Sequence, residues 1–254
     1  MHLLMRAVRS GISERIMALS VNKKCGVFLF CAGLILCVSS QAFSANILID
    51  PGHSPGSPGA IGCSGMPEYR YNDILAGKIA DRLRNAGVKV SMTRTPTSNI
   101  SLSKRTAKSK GKDLFLSIHH DSVQPQFLTR QPAGGVCSSK AQGFSIFVSR
   151  KNPYFEKSLD YARELGTALV KKGFYPTHHH AENITGENRY LFDPNLGIYY
   201  FDDLAVLKNA KAPAILLEAA VIVNPEDEDR AASDKYQRAI ADSIERSVTY
   251  VYQK

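Results

Sequence analysis

The chain has 254 residues, with 32 Lys and Arg against 23 Asp and Glu and a formal net charge of +9. That surplus is modest, and no clustered Arg or Lys stripe marks a nucleic-acid surface, so nucleic acid is excluded as the expected partner. No repeat or low-complexity linker interrupts the sequence.

The first segment does not read as fold. Arg6, Arg9, Arg15, Lys23 and Lys24 form a basic leader, followed by an apolar run at 25–38. That run has 14 residues, too few to cross a bilayer comfortably as a helix. Ser39, Ser40, Gln41 and Ala42 come next. Basic region, short apolar core and small-residue exit are the parts of a secretory signal. Cleavage is expected after Ala42, with Ser40 as the small residue two before it; a cut after Ala45 would place bulky Phe43 there. The competing reading is a retained membrane anchor. The expected organisation is therefore a signal over 1–42 and one domain over 43–254, long enough to bury a sizeable core. With the leader's five basic residues and one acidic residue removed, the mature chain keeps about +5. This suits an anionic envelope surface and ordinary solubility equally. The expected location is the periplasm or cell envelope, with no membrane attachment once the signal is cut, and the expected state is a monomer. Cys63 and Cys137 remain of the five cysteines. An exported protein can oxidise such a pair, and at this point their pairing stays open.

Along the mature chain, short apolar runs alternate with helical patterns. Residues 46–50 (NILID) read as a buried strand. Residues 71–86 read as a helix, with Leu75, Ile79 and Leu83 four apart and Gly87 beyond the end. Strands are predicted at 88–93, 113–118 (DLFLSI) and 143–149 (GFSIFVS). A helix is predicted at 154–172, ending in Lys171, Lys172 and Gly173. A strand at 213–218 (PAILLE) precedes one closing helix over 226–252, whose Glu-Asp-Glu-Asp start suits a helix N-terminus. The segments 122–142 and 174–200 read as long irregular stretches. The alternation argues for an α/β fold, a single domain with a twisted, mostly parallel or mixed sheet. Its nearly continuous apolar strands argue for helices on both faces.

Polar residues interrupt these strands in a telling place. NILID runs into Pro51-Gly52-His53, DLFLSI into His119-His120-Asp121, and PAILL into Glu218. Ligands of open α/β sheets bind beyond the carboxyl ends of strands, so residues far apart in sequence can converge there. Glu68, 15 residues after His53 across a Gly/Pro-rich loop, is a fourth candidate. Two imidazoles and a carboxylate make a Zn²⁺ site with a position open to water. A separate carboxylate, Glu218, can serve as general base. A lone histidine after a strand is more often a structural, hydrogen-bonded group; the coincidence of His53, His119 and Glu218 is what favours chemistry. His119 and His120 point to opposite faces of a strand, and His119 is preferred because it continues the parity of Ser117. His178, His179 and His180 read as a surface loop, since tandem histidines cannot all face one ion. The Gly-rich stretch 52–65 lacks the Lys-Ser/Thr ending of a phosphate loop. No G-x-S-x-G elbow occurs, which disfavours a serine hydrolase. Cys137 as a thiol nucleophile is disfavoured by oxidation in an exported protein.

From Asn46 to Tyr250 these residues resemble the zinc-dependent N-acetylmuramoyl-L-alanine amidases of bacterial cell walls. Ile49-Asp50-Pro51-Gly52-His53 with Gly59-Ala60 is similar to that family's first ligand motif, and Glu68 falls at its glutamate ligand. Thr93-Arg94, Leu102 and Arg105 resemble the segment leading to the next strand. Ser117-Ile118-His119 resembles the second histidine motif, Gly143-Phe144 the start of the next strand, and Leu217-Glu218 with Asn224 and Glu226 the catalytic glutamate motif. The resemblance implies a peptidoglycan substrate, cut between the lactyl group of N-acetylmuramic acid and L-alanine of the stem peptide. It also implies Zn²⁺ on His53, Glu68 and His119, with Glu218 as base. A zinc peptidase acting on stem or cross-bridge peptides is the alternative. Ser54, Pro55 and Ala220 depart from the family pattern, in which glycine is usual at 54 and 220. Some relatives carry a helix that plugs the site and supplies a glutamate. The matching interval here, 122–142, has no Glu or Asp and is broken by Pro and Gly, so no plug is expected. Whether a partner activates the enzyme is left open by the sequence.

Overall fold

Apolar alternation in five of the predicted segments becomes one seven-stranded sheet. The computed structural model describes residues 45–132 and 134–254; the expected signal at 1–42 lies outside them. The strands are β1 (Asn46–Pro51), β2 (Lys89–Met92), β3 (Leu114–Asp121), β6 (Ser145–Val148), β7 (Tyr190–Asp193), β8 (Ile198–Tyr200) and β9 (Ala214–Val221). Their order is β2-β1-β3-β9-β6-β8-β7. Neighbours from β2 through β9 run parallel, as do β6 and β8, while β6 on β9 and β7 on β8 are antiparallel. The sheet is mixed, as expected.

Helices cover both faces unequally. One face carries Ile47, Ile49, Leu116, Ile118 and Leu217. The long helices α1 (Glu68–Asn85), α3 (Phe155–Lys171) and α6 (Asp234–Gln253) pack there through Leu75, Ile79, Leu165 and Ile244. The other face, with Leu48, Phe115, Phe147 and Leu216, meets Val206 and Leu207 of the short α4 (Ala205–Lys208). α2 (Leu102–Ala107) sits against α4. Each fully buried aliphatic side chain stabilises the fold by about 1.5–3 kcal/mol relative to exposure.

Four departures from the sequence reading have physical causes. β3 runs three residues past the predicted 118, through His119 and His120 to Asp121, because pairing with β9 continues there. α1 begins at Glu68, three residues before the predicted start; Pro67 sets its extended N-cap, and Glu68 occupies the first turn. The closing helix is two helices, α5 (Pro225–Ala232) and α6, broken at Ser233, whose extended backbone and hydroxyl cap α6 at Tyr236 N. The stretch 174–200 is not wholly irregular, since β7 and β8 extend the sheet by pairing with each other and with β6. Among the described residues, 122–142 holds a single 3₁₀ turn and the two-residue strands β4 (Thr129–Arg130) and β5 (Val136–Cys137), with no α-helix. Cys63 and Cys137 are joined by a disulfide, with Cα atoms 5.2 Å apart.

Candidate active site

Residue parity decides what faces the site. Leu48 and Asp50 on β1, Phe115, Ser117 and His119 on β3, and Leu216 and Glu218 on β9 share one face by alternation. His119 and Glu218 are register partners on adjacent parallel strands. His120 takes the other face, toward α1, where its Nδ1 lies 2.8 Å from Asn72 Oδ1. Full burial pushes its pKa down to about 4, so that ring is neutral.

Glu68 reaches the strand ends from the first turn of α1. Its Oε2 lies 3.1 Å from His53 Nε2, and its Oε1 lies 3.0 Å from His119 Nδ1. The rings of His53 and His119 meet edge to face at 5.0 Å. Ala60 N donates to Glu68 Oε2 at 3.0 Å, and Asn72 Nδ2 donates to Oε1 at 3.1 Å. Burial alone would raise the Glu68 pKa, but contacts with His119 and His53 outweigh it and hold the carboxyl well below the usual range.

The loop carrying His53 is held by two buried arginines. Arg94 Nη2 donates to Gly52 O at 3.1 Å and is itself paired with Asp73 at 2.8 Å. Arg105 Nη2 donates to His53 O at 2.6 Å and Nη1 to Pro51 O at 3.1 Å. These contacts support His53 in the left-handed region, φ 58°, a conformation costly for a residue with a side chain. Gly52 is required by proximity, because a Cβ there would stand 2.3 Å from His119 Nε2.

Glu218 is half-buried as a residue, but its Oε2 is buried and has no hydrogen-bond partner. Burial, with the charges of Asp121 and Glu68 nearby, raises its pKa well above the ordinary value. An orphaned buried carboxylate oxygen costs free energy unless something occupies the space before it. The end of β9 is fixed beyond it: Asp227 Oδ2 accepts from Val221 N at 3.1 Å and from Gly143 N at 2.6 Å. Asn224 caps α5 through Glu226 N and Asp227 N.

His53, Glu68 and His119 thus present ligand atoms that all lie within 4.8 Å of one another, a group able to hold a metal ion. The three sequence candidates come together, with Glu218 one strand over. A groove of about 350 Å³ opens beside His53 and His119, walled by Ser54, Ser57, Leu102, Val206 and Leu216.

The profile of the N-acetylmuramoyl-L-alanine amidase family matches residues 47–250. The chain belongs to that amidase family. It is a hydrolase of peptidoglycan. The amidase is 26% identical over 233 residues to N-acetylmuramoyl-L-alanine amidase AmiA of Salmonella typhimurium, covering 80% of this chain and 74% of that protein. It is 28% identical over 217 residues to AmiC of Neisseria meningitidis, covering 80% of this chain but 51% of AmiC, so it spans only about half of that relative. Its fold is similar to that of AmiC2 of Nostoc punctiforme, with a TM-score of 0.62 at 23% identity over 83% of this chain and 98% of that one. Ami1 of Mycobacterium smegmatis superposes with a TM-score of 0.64 at 20% identity over 82% and 97%.

Beyond the sequence candidates, the amidase places Asp121, His179 and His180 together near Glu218, which the tandem-histidine reading missed. His179 is buried and His180 half-buried, so neither is a surface residue; of the three, His178 is exposed. Asp121 was visible in His119-His120-Asp121, but the register shift between His119 and Asp121 that aims it away from the strand pattern was not.

Proposed function

We propose that the amidase holds Zn²⁺ on His53, Glu68 and His119 and cleaves the amide between N-acetylmuramic acid and L-alanine with Glu218 as general base. The observation that carries this reading is the placement of Glu218. A carboxylate with one buried, unpartnered oxygen sits in register with His119, beside two imidazoles that converge on one carboxylate. Two nitrogens and one carboxylate oxygen are the donor set of a hydrolytic zinc site. The close approach at Gly52 and the hydrogen bonds to Glu68 keep those donors aligned, so the residues fit the ion.

When bound there, the ion supplies a Lewis acid for the scissile carbonyl and for water, and a positive charge that favours ionised Glu218. Glu218 takes the proton from the attacking water through its free oxygen. It then delivers that proton to the departing nitrogen of L-alanine. Its position on a strand, between β3 and β6, holds the carboxylate rigidly for both transfers. The groove beside His53 mixes hydroxyl and apolar walls, suited to a lactyl-peptide chain. Arg105 and Arg94 act by holding the backbone of the loop that carries His53.

We also infer that residues 1–42 are a signal and that the enzyme works in the cell envelope, where its substrate lies. A digest of purified peptidoglycan tests the bond specificity. Stem peptides released with a free N-terminal L-alanine are expected; new termini inside the peptide would instead identify a peptidase.

A further inference from the structure

His179 and His180 begin a 3₁₀ turn over His179–Ala181, beside the end of β3. Neighbours in such a turn ordinarily diverge, yet these two rings stack with centroids 3.9 Å apart and a tilt of 37°. Their Nε2 atoms face one carboxylate oxygen: Asp121 Oδ2 lies 2.7 Å from His180 Nε2 and 3.4 Å from His179 Nε2. Their Nδ1 atoms are both anchored from behind. His179 Nδ1 lies 2.9 Å from Thr177 Oγ1, and His180 Nδ1 lies 2.9 Å from Glu187 Oε2. Glu187 is in turn steadied by Gln124, whose Nε2 donates to its Oε1 at 2.8 Å.

A proton shared between His180 and Asp121 satisfies the shorter contact only. His179 is buried, with a relative exposure of 6%, and its Nε2 has no hydrogen-bond partner. An orphaned buried nitrogen of this kind costs about 1–3 kcal/mol. A cation between the three groups accepts all of them at once. The three ligand atoms lie within 4.8 Å of one another; the 3.4 Å spacing is about what tetrahedral zinc with Zn–N near 2.0–2.1 Å imposes between ligands, and the 2.7 Å His180–Asp121 contact, a hydrogen bond in the metal-free site, lengthens to the same value when the ion enters. A carboxylate behind a ligating histidine is the usual outer support of a metal site, and Glu187 stands there.

We propose that Asp121, His179 and His180 form a second metal site, taking a divalent transition ion of the zinc class and tying the 179–181 turn to the end of β3. The site shares no ligand with His53, Glu68 and His119, and it does not depend on their assignment. Two nitrogens and one oxygen select a borderline ion such as Zn²⁺ over Mg²⁺ or Ca²⁺.

The test counts bound Zn²⁺ by atomic absorption after metal-free protein is loaded with zinc and passed through gel filtration. The parent protein is expected to carry two equivalents. His179→Ala is expected to carry one fewer than its parent, and to lose part of the rise in melting temperature that zinc produces. His179 is the informative position because its removal leaves the His180–Asp121 and His180–Glu187 contacts in place; circular dichroism establishes that the variant is folded. His53→Ala is also expected to lose one equivalent, and the double variant both. No zinc in the parent, or an unchanged count in folded His179→Ala, overturns the second site. Should His179→Ala not fold, the count in His53→Ala decides: one equivalent retained there supports the second site, and none overturns it. A count that falls in His179→Ala but not in His53→Ala leaves the second site standing and removes His53 from the first.

Discussion

His53 and His119 reach their cluster from the ends of two adjacent parallel strands, whereas His179 and His180 reach theirs from a single turn. The first cluster is set by the sheet. Parallel pairing of β1 with β3 and of β3 with β9 brings His119 and Glu218 into register, and two arginines fix the loop that carries His53. The second is set by side chains, with Thr177, Glu187 and Asp121 each pinning a ring nitrogen. The first keeps His53 partly open beside a groove, while the second is closed in. A reaction centre needs substrate access and tolerates an exposed ligand; a tie between a loop and a strand needs neither. Substitutions should therefore cost function in the first region and stability in the second.

The largest effect should come from the metal ligands. His53→Ala and His119→Ala are each expected to lose the zinc proposed for that centre and nearly all turnover, measured by metal analysis alongside peptidoglycan release. His53 is about a third exposed, so its removal should barely move the urea midpoint of the metal-free protein, where no bound ion adds to stability. A large loss of stability in metal-free His53→Ala would break the contrast between the regions.

His180→Ala should do the reverse. It leaves Asp121 and Glu187 buried without their shared partner, and breaking such a pair costs about 3–5 kcal/mol. Urea unfolding checks it, and a midpoint equal to the parent's would contradict the structural role. The apposition of Gly52 and His119 bridges the two behaviours. Gly52→Ala forces a Cβ against the His119 ring, and overpacking of this kind costs about 1–3 kcal/mol. It should lower zinc affinity and the melting temperature together.

The smallest effect belongs to the far side of the sheet. Asp242 on α6 pairs with Arg82 of α1 at 2.7 Å and Lys172 at the end of α3 at 3.1 Å. Burial acts to raise its pKa, but the hydrogen bonds and charges of Lys172 and Arg82 lower it overall. A carboxyl whose pKa falls on folding adds stability above its unfolded pKa, and loses it as pH drops through the folded one. Asp242→Asn should cost about 0.2–1 kcal/mol near neutral pH, as exposed pairs do. The difference from the parent should vanish in acid and shrink in salt, as urea midpoints at two ionic strengths would reveal.

Much of the first cluster was legible in the sequence because strand parity is rigid. Ile49, Ile118 and Leu217 had to face the core, so the residues one step on had to face away, and three polar residues at strand ends could be matched. Glu68 was legible as a candidate across a loop able to fold back, and the resemblance gave it the ligand's role; that it opens α1 depends on Pro67 and on Ala60, whose N donates to Glu68 Oε2 and whose O accepts from Glu68 N. The second cluster was not legible. Whether consecutive histidines converge depends on turn dihedrals and on partners from Thr177 to Glu187, which no period encodes. β7 and β8 were missed because Pro194 and Gly197 interrupt an aromatic stretch that reads as loop. The break at Ser233 was missed because a serine cap leaves the helical pattern on either side intact.

The central claim is that Glu218 moves the proton while other residues hold the metal. Steady-state turnover and zinc content of Glu218→Gln, measured on one preparation, test it most directly. Loss of about 10²–10⁴-fold in kcat with zinc undiminished is the expected result. Turnover equal to the parent's, or loss of the metal along with the activity, would contradict it.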